Sequence, residues 1–202
     1  ISSMRKHSTV VCSEERTQEA KEKLRRGHTD ITTYMFVARC VMAVVLLSTR
    51  IDAGCAINPN AAGHVDIPRT WTTIGWYAFS QCSSLETVSI PDSVTTIGWS
   101  VFYGCTSLKT VSIGNSVTTI GNHAFYYCTS LKTVSIPNSV TTIGNEAFHG
   151  CSSLESVSIP DSVTSIGNEA FHGCSSLETV SIPDSVPTIG DSVFRACTSL
   201  ET

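Results

Sequence analysis

The larger part of this 202-residue sequence has little charge and no basic segment. Charged residues make up 15% of the chain, and only four of the 13 Lys and Arg residues lie beyond residue 56. The same part of the chain, from Pro59 onward, contains eleven acidic residues. Because nucleic-acid-binding domains carry a basic patch or stripe, this composition excludes nucleic acid as the expected partner.

The nine cysteines lack the spacing of a metal site. Zinc sites often contain a Cys-x₂₋₄-Cys pair, and no two cysteines lie that close in this sequence. The repeated serines have no His and Asp at fixed nearby positions, which a nucleophilic catalyst would need. We therefore expect no metal, no cofactor and no enzymatic activity.

The sequence also lacks an uninterrupted apolar run of transmembrane length. A spanning helix needs about 20 apolar residues, whereas the apolar run of residues 34–47 is shorter and contains Arg39. Residues 13–27 before it have the pattern of a charged helix, with acids early and bases late. Residues 1–56 are thus predicted to be a charged helix plus an apolar leader, which is a signal peptide, an anchor or a disordered segment.

What the sequence does have is a 23-residue repeat. Residues 82–196 contain five full units, residues 64–81 a degenerate first unit and residues 197–202 a partial one. Repeats of this length are typical of solenoids, in which each unit contacts only its neighbours. We therefore assign residues 57–202 to a solenoid domain. The chain starts at an isoleucine and stops inside a unit, so we expect a fragment of a longer protein.

Apolar spacing predicts two strands in each unit. Val157 and Ile159 alternate with serines, which is the period of a strand with one buried face. A Pro-Asp-Ser turn then leads to a second short β-prone run, residues 163–166. The glycine that follows, Gly167, recurs in every unit and indicates a positive φ or a crowded backbone.

The end of each unit is predicted to form one helical or 3₁₀ turn. Asn168 has the position of its N-cap, and the turn would direct Phe171 into the core. The regularly spaced cysteines follow this turn at 82, 105, 128, 151, 174 and 197. Equivalent positions in adjacent coils point in parallel, so we expect six buried thiols rather than disulfides. Whether Cys12, Cys40 and Cys55 are free or paired stays open.

The pattern L-x-x-V-x-I-P-x-S-V-T-x-I-G-x-x-A-F-x-x-C resembles the BspA-type leucine-rich repeats, over roughly residues 64–202. The resemblance implies an α/β solenoid: a right-handed coil with a parallel β-sheet, short second strands and short helical turns. It also implies adhesion or partner binding at a cell surface. Gly114 and Pro187 depart from the pattern, and we expect their units to bend or fray.

Variation among the units is confined to the short turn. Units that differ only at exposed positions indicate where specificity is encoded, and aromatic residues often anchor interfaces. Alternatively, some of these side chains pack on the leader or on neighbouring turns, and the histidines are simply solvated. The candidate partner-binding residues are Trp76, Tyr77, Trp99, Tyr103, His123, Tyr126, His149 and His172.

These observations favour a non-enzymatic binding or adhesion module that presents its repeats to a protein or glycan partner. We expect it to be extracellular or at the cell surface, and a cytoplasmic location is the alternative. Membrane attachment would come only through the N-terminal apolar segment or a missing C-terminal part. Two other functions stay open, a structural spacer or assembly element and a Thr-x-Ser hydroxyl array that binds ice or another surface. The sequence does not set the oligomeric state.

Overall fold

The computed structural model describes residues 55–201, which form a solenoid of stacked parallel strands. The predictions for the charged helix and the apolar leader fall on residues outside this range, apart from Cys55 and Ala56. The predicted parallel β-solenoid is confirmed. Within the described range there is no helix long and apolar enough to cross a membrane.

Each of the first five coils contributes one strand to each of two parallel sheets, and the sixth coil contributes a strand to the larger sheet only. The six-stranded sheet contains, in spatial order, β1 (His64–Asp66), β3 (Thr87–Ser89), β5 (Thr110–Ser112), β7 (Thr133–Ser135), β9 (Ser156–Ser158) and β11 (Thr179–Ser181). The five-stranded sheet contains β2 (Thr73–Ile74), β4 (Thr96–Ile97), β6 (Thr119–Ile120), β8 (Thr142–Ile143) and β10 (Ser165–Ile166). The register follows the repeat, so that Val88 pairs with Val111 and Ile97 pairs with Ile120.

The alternation read from the sequence sets which side chains enter the core. In β7 the central Val134 is buried, and Thr133 and Ser135 on either side of it are exposed. Leucine, isoleucine, valine and phenylalanine from every coil close the interior, and most of them have no solvent exposure. A single coil cannot bury these side chains alone, so each coil depends on its neighbours.

The predicted short helical turns and the Asn N-cap are wrong for the described residues. Alternate turn amides donate along the solenoid to the next coil, as Phe125 does to the carbonyl oxygen of Ala147 at 2.7 Å. The amides between them donate within the turn, as Tyr126 does to His123 at 3.2 Å. The asparagine also acts between coils, because the amide of Asn168 donates to Oδ1 of Asn145 at 2.9 Å. Stacking therefore satisfies the backbone groups that a helix would have paired within itself.

The recurring glycine reflects crowding rather than a positive φ. A Cβ on Gly121 would lie 2.6 Å from the carbonyl oxygen of Gly98 in the previous coil. The positive φ falls two residues later instead, at positions that are never glycine, such as His123 with φ of 56°. The invariant glycine thus allows two backbones to approach each other at this turn.

The prediction of six free thiols is wrong for Cys82, which forms a disulfide with Cys55. The parallel-vector argument applies only between equivalent positions, and these two cysteines are separated by 27 residues rather than one repeat. The other five repeat cysteines are free, as predicted, although Cys197 is only half-buried. Their thiols donate to a carbonyl oxygen 26 residues earlier, as Cys128 does to Phe102 at 3.2 Å.

The two units with sequence departures also differ locally in structure. The strands β5 and β7 pair at two positions, whereas the other neighbours in that sheet pair at three. Beyond Pro187 the second strand is reduced to one bridge between Ile166 and Ile189. Proline lacks the amide with which Thr164, at the equivalent position, donates to Thr141. The unit at Pro187 thus pairs at one position of its second strand, where the unit before it pairs at two.

Candidate binding surface

The sequence candidates lie together on the turn that precedes each repeat cysteine. We call this surface the turn edge, and it consists of three columns of side chains that run along the solenoid. The first column is Trp76, Trp99, Asn122, Asn145, Asn168 and Asp191; the second is Tyr77, Ser100, His123, Glu146, Glu169 and Ser192; the third is Ser80, Tyr103, Tyr126, His149, His172 and Arg195.

The second column has a left-handed backbone in every coil. All six residues have φ between 53° and 58°, a region that non-glycine residues enter rarely. The same conformation recurs whether the side chain is Tyr77, His123 or Glu146, so it belongs to the shared turn and not to one residue. The turn edge is therefore a regular frame on which only the side chains change.

The N-terminal half of the turn edge is an exposed aromatic cluster. Trp76 is 61% exposed, Trp99 is 40% exposed and Tyr77 is 39% exposed. The rings contact one another edge to face, with centroids of Tyr77 and Trp99 5.0 Å apart and those of Trp76 and Trp99 6.4 Å apart. Nε1 of Trp99 donates to Nδ1 of His123 at 2.9 Å, which links this cluster to the next coil.

The third column is a stack of half-buried rings. Tyr103 and Tyr126 stack with centroids 5.1 Å apart, and Tyr126 stacks on His149 at 4.6 Å. His149 then lies 4.5 Å from His172, centroid to centroid. The alternative that some candidates pack on neighbouring turns thus holds for this column. The eight candidates are joined by ring contacts into one continuous surface.

Sequence reasoning missed Tyr127. It is 46% exposed and meets the ring of Tyr126 edge to face, with centroids 4.6 Å apart. Its ring also covers Gly150, where an added Cβ would lie 2.7 Å from Cε1 of Tyr127. Burial is the main cause that raises the pKa of Tyr126, and the neighbouring Tyr127 adds to it. The sequence does contain a signal for Tyr127, because the equivalent position is a glycine in three other units, at Gly104, Gly150 and Gly173.

Sequence reasoning also left two carboxylates of the turn edge out of the candidate set. Oε1 of Glu146 lies 3.3 Å from Nε2 of His123, and Oε2 of Glu169 lies 3.6 Å from Nδ1 of His149. Burial is the main cause that lowers the pKa of His149, and the adjacent His172 adds to it. The C-terminal half of the turn edge is thus an imidazole and carboxylate cluster, in contrast to the aromatic N-terminal half.

One group within the described range has the composition of a metal site. His149, Glu169 and His172 can each offer a ligand atom, and these atoms lie within 4.8 Å of one another. Neither imidazole is more than a quarter exposed, whereas the carboxylate is 44% exposed. These residues come from two consecutive coils, so no short motif in the sequence marks them as one group.

The repeat matches a known family of sequences. The model of the BspA type leucine-rich repeat region matches residues 49–155 and 120–202, with six copies. A comparison with curated proteins found no match.

Several solved structures are similar to this chain. A leucine-rich repeat protein from Bacteroides ovatus is 38% identical with a TM-score of 0.64, over 68% of this chain and 38% of that protein. The leucine-rich repeat protein of T. pallidum is 29% identical with a TM-score of 0.59, over 68% of this chain and 78% of that one. One from Eubacterium ventriosum is 26% identical with a TM-score of 0.60, over 71% and 46% of the two chains. This chain therefore spans less than half of two of these three proteins.

Proposed function

Because this chain belongs to the family of BspA-type leucine-rich repeat proteins, we propose that it is a non-enzymatic binding module whose turn edge receives a protein partner. The observation that carries this proposal is the exposed aromatic cluster of Trp76, Tyr77 and Trp99. Tryptophan and tyrosine are the side chains that most often dominate binding energy at protein interfaces.

The aromatic cluster is held in place before any partner arrives. The indole of Trp99 contacts both Trp76 and Tyr77 and donates a hydrogen bond to His123. Side chains that are already ordered lose less conformational freedom on binding, so more of the contact energy appears as affinity. The rigid stack of coils beneath supports the same conclusion.

An extracellular or cell-surface location is part of this proposal. The disulfide between Cys55 and Cys82 supports it, because structural disulfides persist mainly in oxidising compartments. The five free repeat thiols do not argue against it, since four of them are buried and protected from exchange.

The test is a double variant, Trp76→Ala with Trp99→Ala, in the full chain. Binding to purified extracellular proteins and to arrayed glycans would be measured by biolayer interferometry for the wild type and the variant. Loss of two anchors should weaken the Kd for a protein partner at least about 30-fold. The matched control is Thr133→Ala with Ser156→Ala, on the exposed face of β7 and β9, which should keep the wild-type Kd.

Three results would contradict the proposal. Binding that survives the double tryptophan variant would place the contact elsewhere than the aromatic cluster. Recognition of glycans alone would overturn the choice of a protein partner. A sedimentation coefficient that rises with protein concentration, with no partner bound, would favour an assembly element instead. Thermal unfolding of each variant shows whether the solenoid has survived the substitutions.

A further inference from the structure

We propose that His149, Glu169 and His172 form a binding site for a divalent transition-metal ion of the zinc class, built across two coils of the turn edge. This site goes beyond the aromatic cluster and does not depend on the proposed partner. The sequence predicts no metal, because its cysteines lack the spacing of a zinc site. The structure brings together histidines and a carboxylate that lie in different units.

The site arises because two consecutive units carry the same tetrapeptide. Residues 146–149 and 169–172 both have the sequence Glu-Ala-Phe-His. Alanine and phenylalanine are buried in both units, so glutamate and histidine remain on the outer side of the turn. Stacking by one repeat then places His172 against His149, with Nδ1 of the first 3.4 Å from Nε2 of the second.

The distances from the Glu169 carboxylate to the two imidazoles fit a small cation better than they fit direct hydrogen bonds. Oε2 of Glu169 lies 3.6 Å from Nδ1 of His149 and 4.0 Å from Nδ1 of His172. Both separations exceed the usual hydrogen-bond range. Ligand atoms about 2.0–2.2 Å from a tetrahedral zinc ion are about 3.3–3.6 Å apart. A small rotation of the Glu169 side chain, which is 44% exposed, would close the remaining difference.

One ring nitrogen in the cluster has no hydrogen-bond partner. Nδ1 of His149 is buried and unpaired, and the side chain as a whole is 12% exposed. Buried polar atoms are normally satisfied, and an unpaired one calls for a partner such as an ion. The nitrogen lies near two carboxylates, since Oε2 of Glu146 is 3.8 Å away on the other side.

The cluster also has uncompensated negative charge. Within residues 55–201, Glu146 and Glu169 pair only with histidines and with no Lys or Arg. With neutral imidazoles, two carboxylates leave a local charge that a divalent cation would balance. Two imidazoles with one carboxylate are a ligand set that zinc and its neighbours in the transition series accept, whereas calcium and magnesium prefer oxygen ligands.

The experiment titrates the full chain with Zn²⁺ by calorimetry and with Co²⁺ by visible absorption. The variants are Glu169→Gln and His172→Ala, which change side chains with enough exposure to be tolerated. The matched control is His64→Ala, a histidine that pairs with Asp66 outside the cluster. We expect each cluster variant to weaken Zn²⁺ binding at least about tenfold and to change the Co²⁺ bands. His64→Ala should match the wild type, and Mg²⁺ should not compete.

Two outcomes would overturn the site. Equal Zn²⁺ affinity and stoichiometry in the wild type and in both cluster variants would show that other residues of the chain hold the ion. Competition by Mg²⁺ at equal concentration would show a carboxylate surface without imidazole ligation. Thermal unfolding without metal identifies a variant that fails to fold. In that case the other variant decides, because the two substitutions alter different ligands.

Discussion

The ring of Phe148 stacks on that of Phe125, with centroids 5.1 Å apart and planes 5° from parallel. On its other face the ring of Phe148 stacks on that of Phe171, with centroids 5.1 Å apart and planes 3° from parallel. Each of these rings comes from a different coil and none has solvent exposure. The phenylalanine column is therefore a continuous contact through the core, and each ring seals the interior of two neighbouring coils.

Replacing Phe148 by alanine should reduce the free energy of unfolding by about 3–5 kcal/mol. The variant removes both ring stacks and leaves a cavity that rigid neighbouring coils cannot fill. Urea unfolding followed by circular dichroism measures the change. The control is Ser158→Ala on the exposed edge of β9, which should change stability by less than about 0.5 kcal/mol. Similar losses in the two variants would contradict a core formed by stacked coils.

Two equivalent glycines should respond in opposite ways to alanine. A Cβ on Gly144 would lie 2.6 Å from the amide nitrogen of Asn122, so Gly144→Ala should cost about 1–3 kcal/mol through overpacking. A Cβ on Gly75 would have no atom within 4 Å, because within residues 55–201 no coil with this turn precedes it.

Gly75→Ala is accordingly the matched control. Its φ is not positive, so alanine fits the backbone, and the loss of freedom in the unfolded chain should leave stability unchanged or raise it by up to about 1 kcal/mol. Urea midpoints of the two variants test the pair directly. Equal destabilisation would show that the glycine serves conformation rather than close approach between coils.

The disulfide should stabilise the first coil. Its cysteines are separated by 27 residues, and closing a loop of this length is worth about 3.5 kcal/mol in the chain-entropy treatment. Cys55→Ala should therefore lower the urea midpoint, and a reducing agent should lower that of the wild type to the same value. The reducing agent should leave Cys55→Ala unchanged. Non-reducing peptide mapping that joins Cys82 to another cysteine would contradict the pairing.

The sequence predicted the stacking well because every inward position repeats. Val157 alternates with serines, and Phe171 recurs at the same place in each unit, so one coil predicts the next. The turn was predicted less well. Its polar groups pair between coils, as Asn168 does with Asn145, and a propensity for helix capping cannot indicate a partner 23 residues away. The sequence also allows two explanations for the recurring glycine, a positive φ or a crowded backbone. The close carbonyl oxygen of Gly98 shows that crowding is the reason at Gly121.

The candidate surface was likewise predictable only in part. Exposure and variation identified Trp76 and Trp99, because those properties belong to each residue by itself. The grouping of His149 with Glu169 depends on the distance between two coils and on side-chain rotation, which a single unit does not encode. The pairing of Cys55 with Cys82 does not follow from the sequence for a related reason, since Cys55 lies outside the repeat and the repeat spacing gives it no equivalent position.

The last prediction concerns the buried thiols at high pH. Burial raises the pKa of Cys105 and of Cys151 from 9.0 to about 12, and it raises those of Cys128 and Cys174 as well. Above pH 9 the unfolded chain loses these protons and the folded chain keeps them. Stability is therefore fully present below pH 9 and falls as the pH rises toward 12, by up to about 1.4 kcal/mol per pH unit for each thiol.

Urea unfolding at a series of pH values from 8 to 10, under argon to prevent oxidation, measures this slope. Tyrosine and lysine also titrate near the upper end, so the comparison that isolates the thiols is with Cys151→Ala. This variant removes one buried thiol and should have a shallower loss of stability with pH, whatever its stability at pH 8. Iodoacetamide should also fail to label Cys128 in the folded protein, because the thiolate is the reactive species. An identical slope in the two proteins would mean that burial does not hold these thiols in the protonated form.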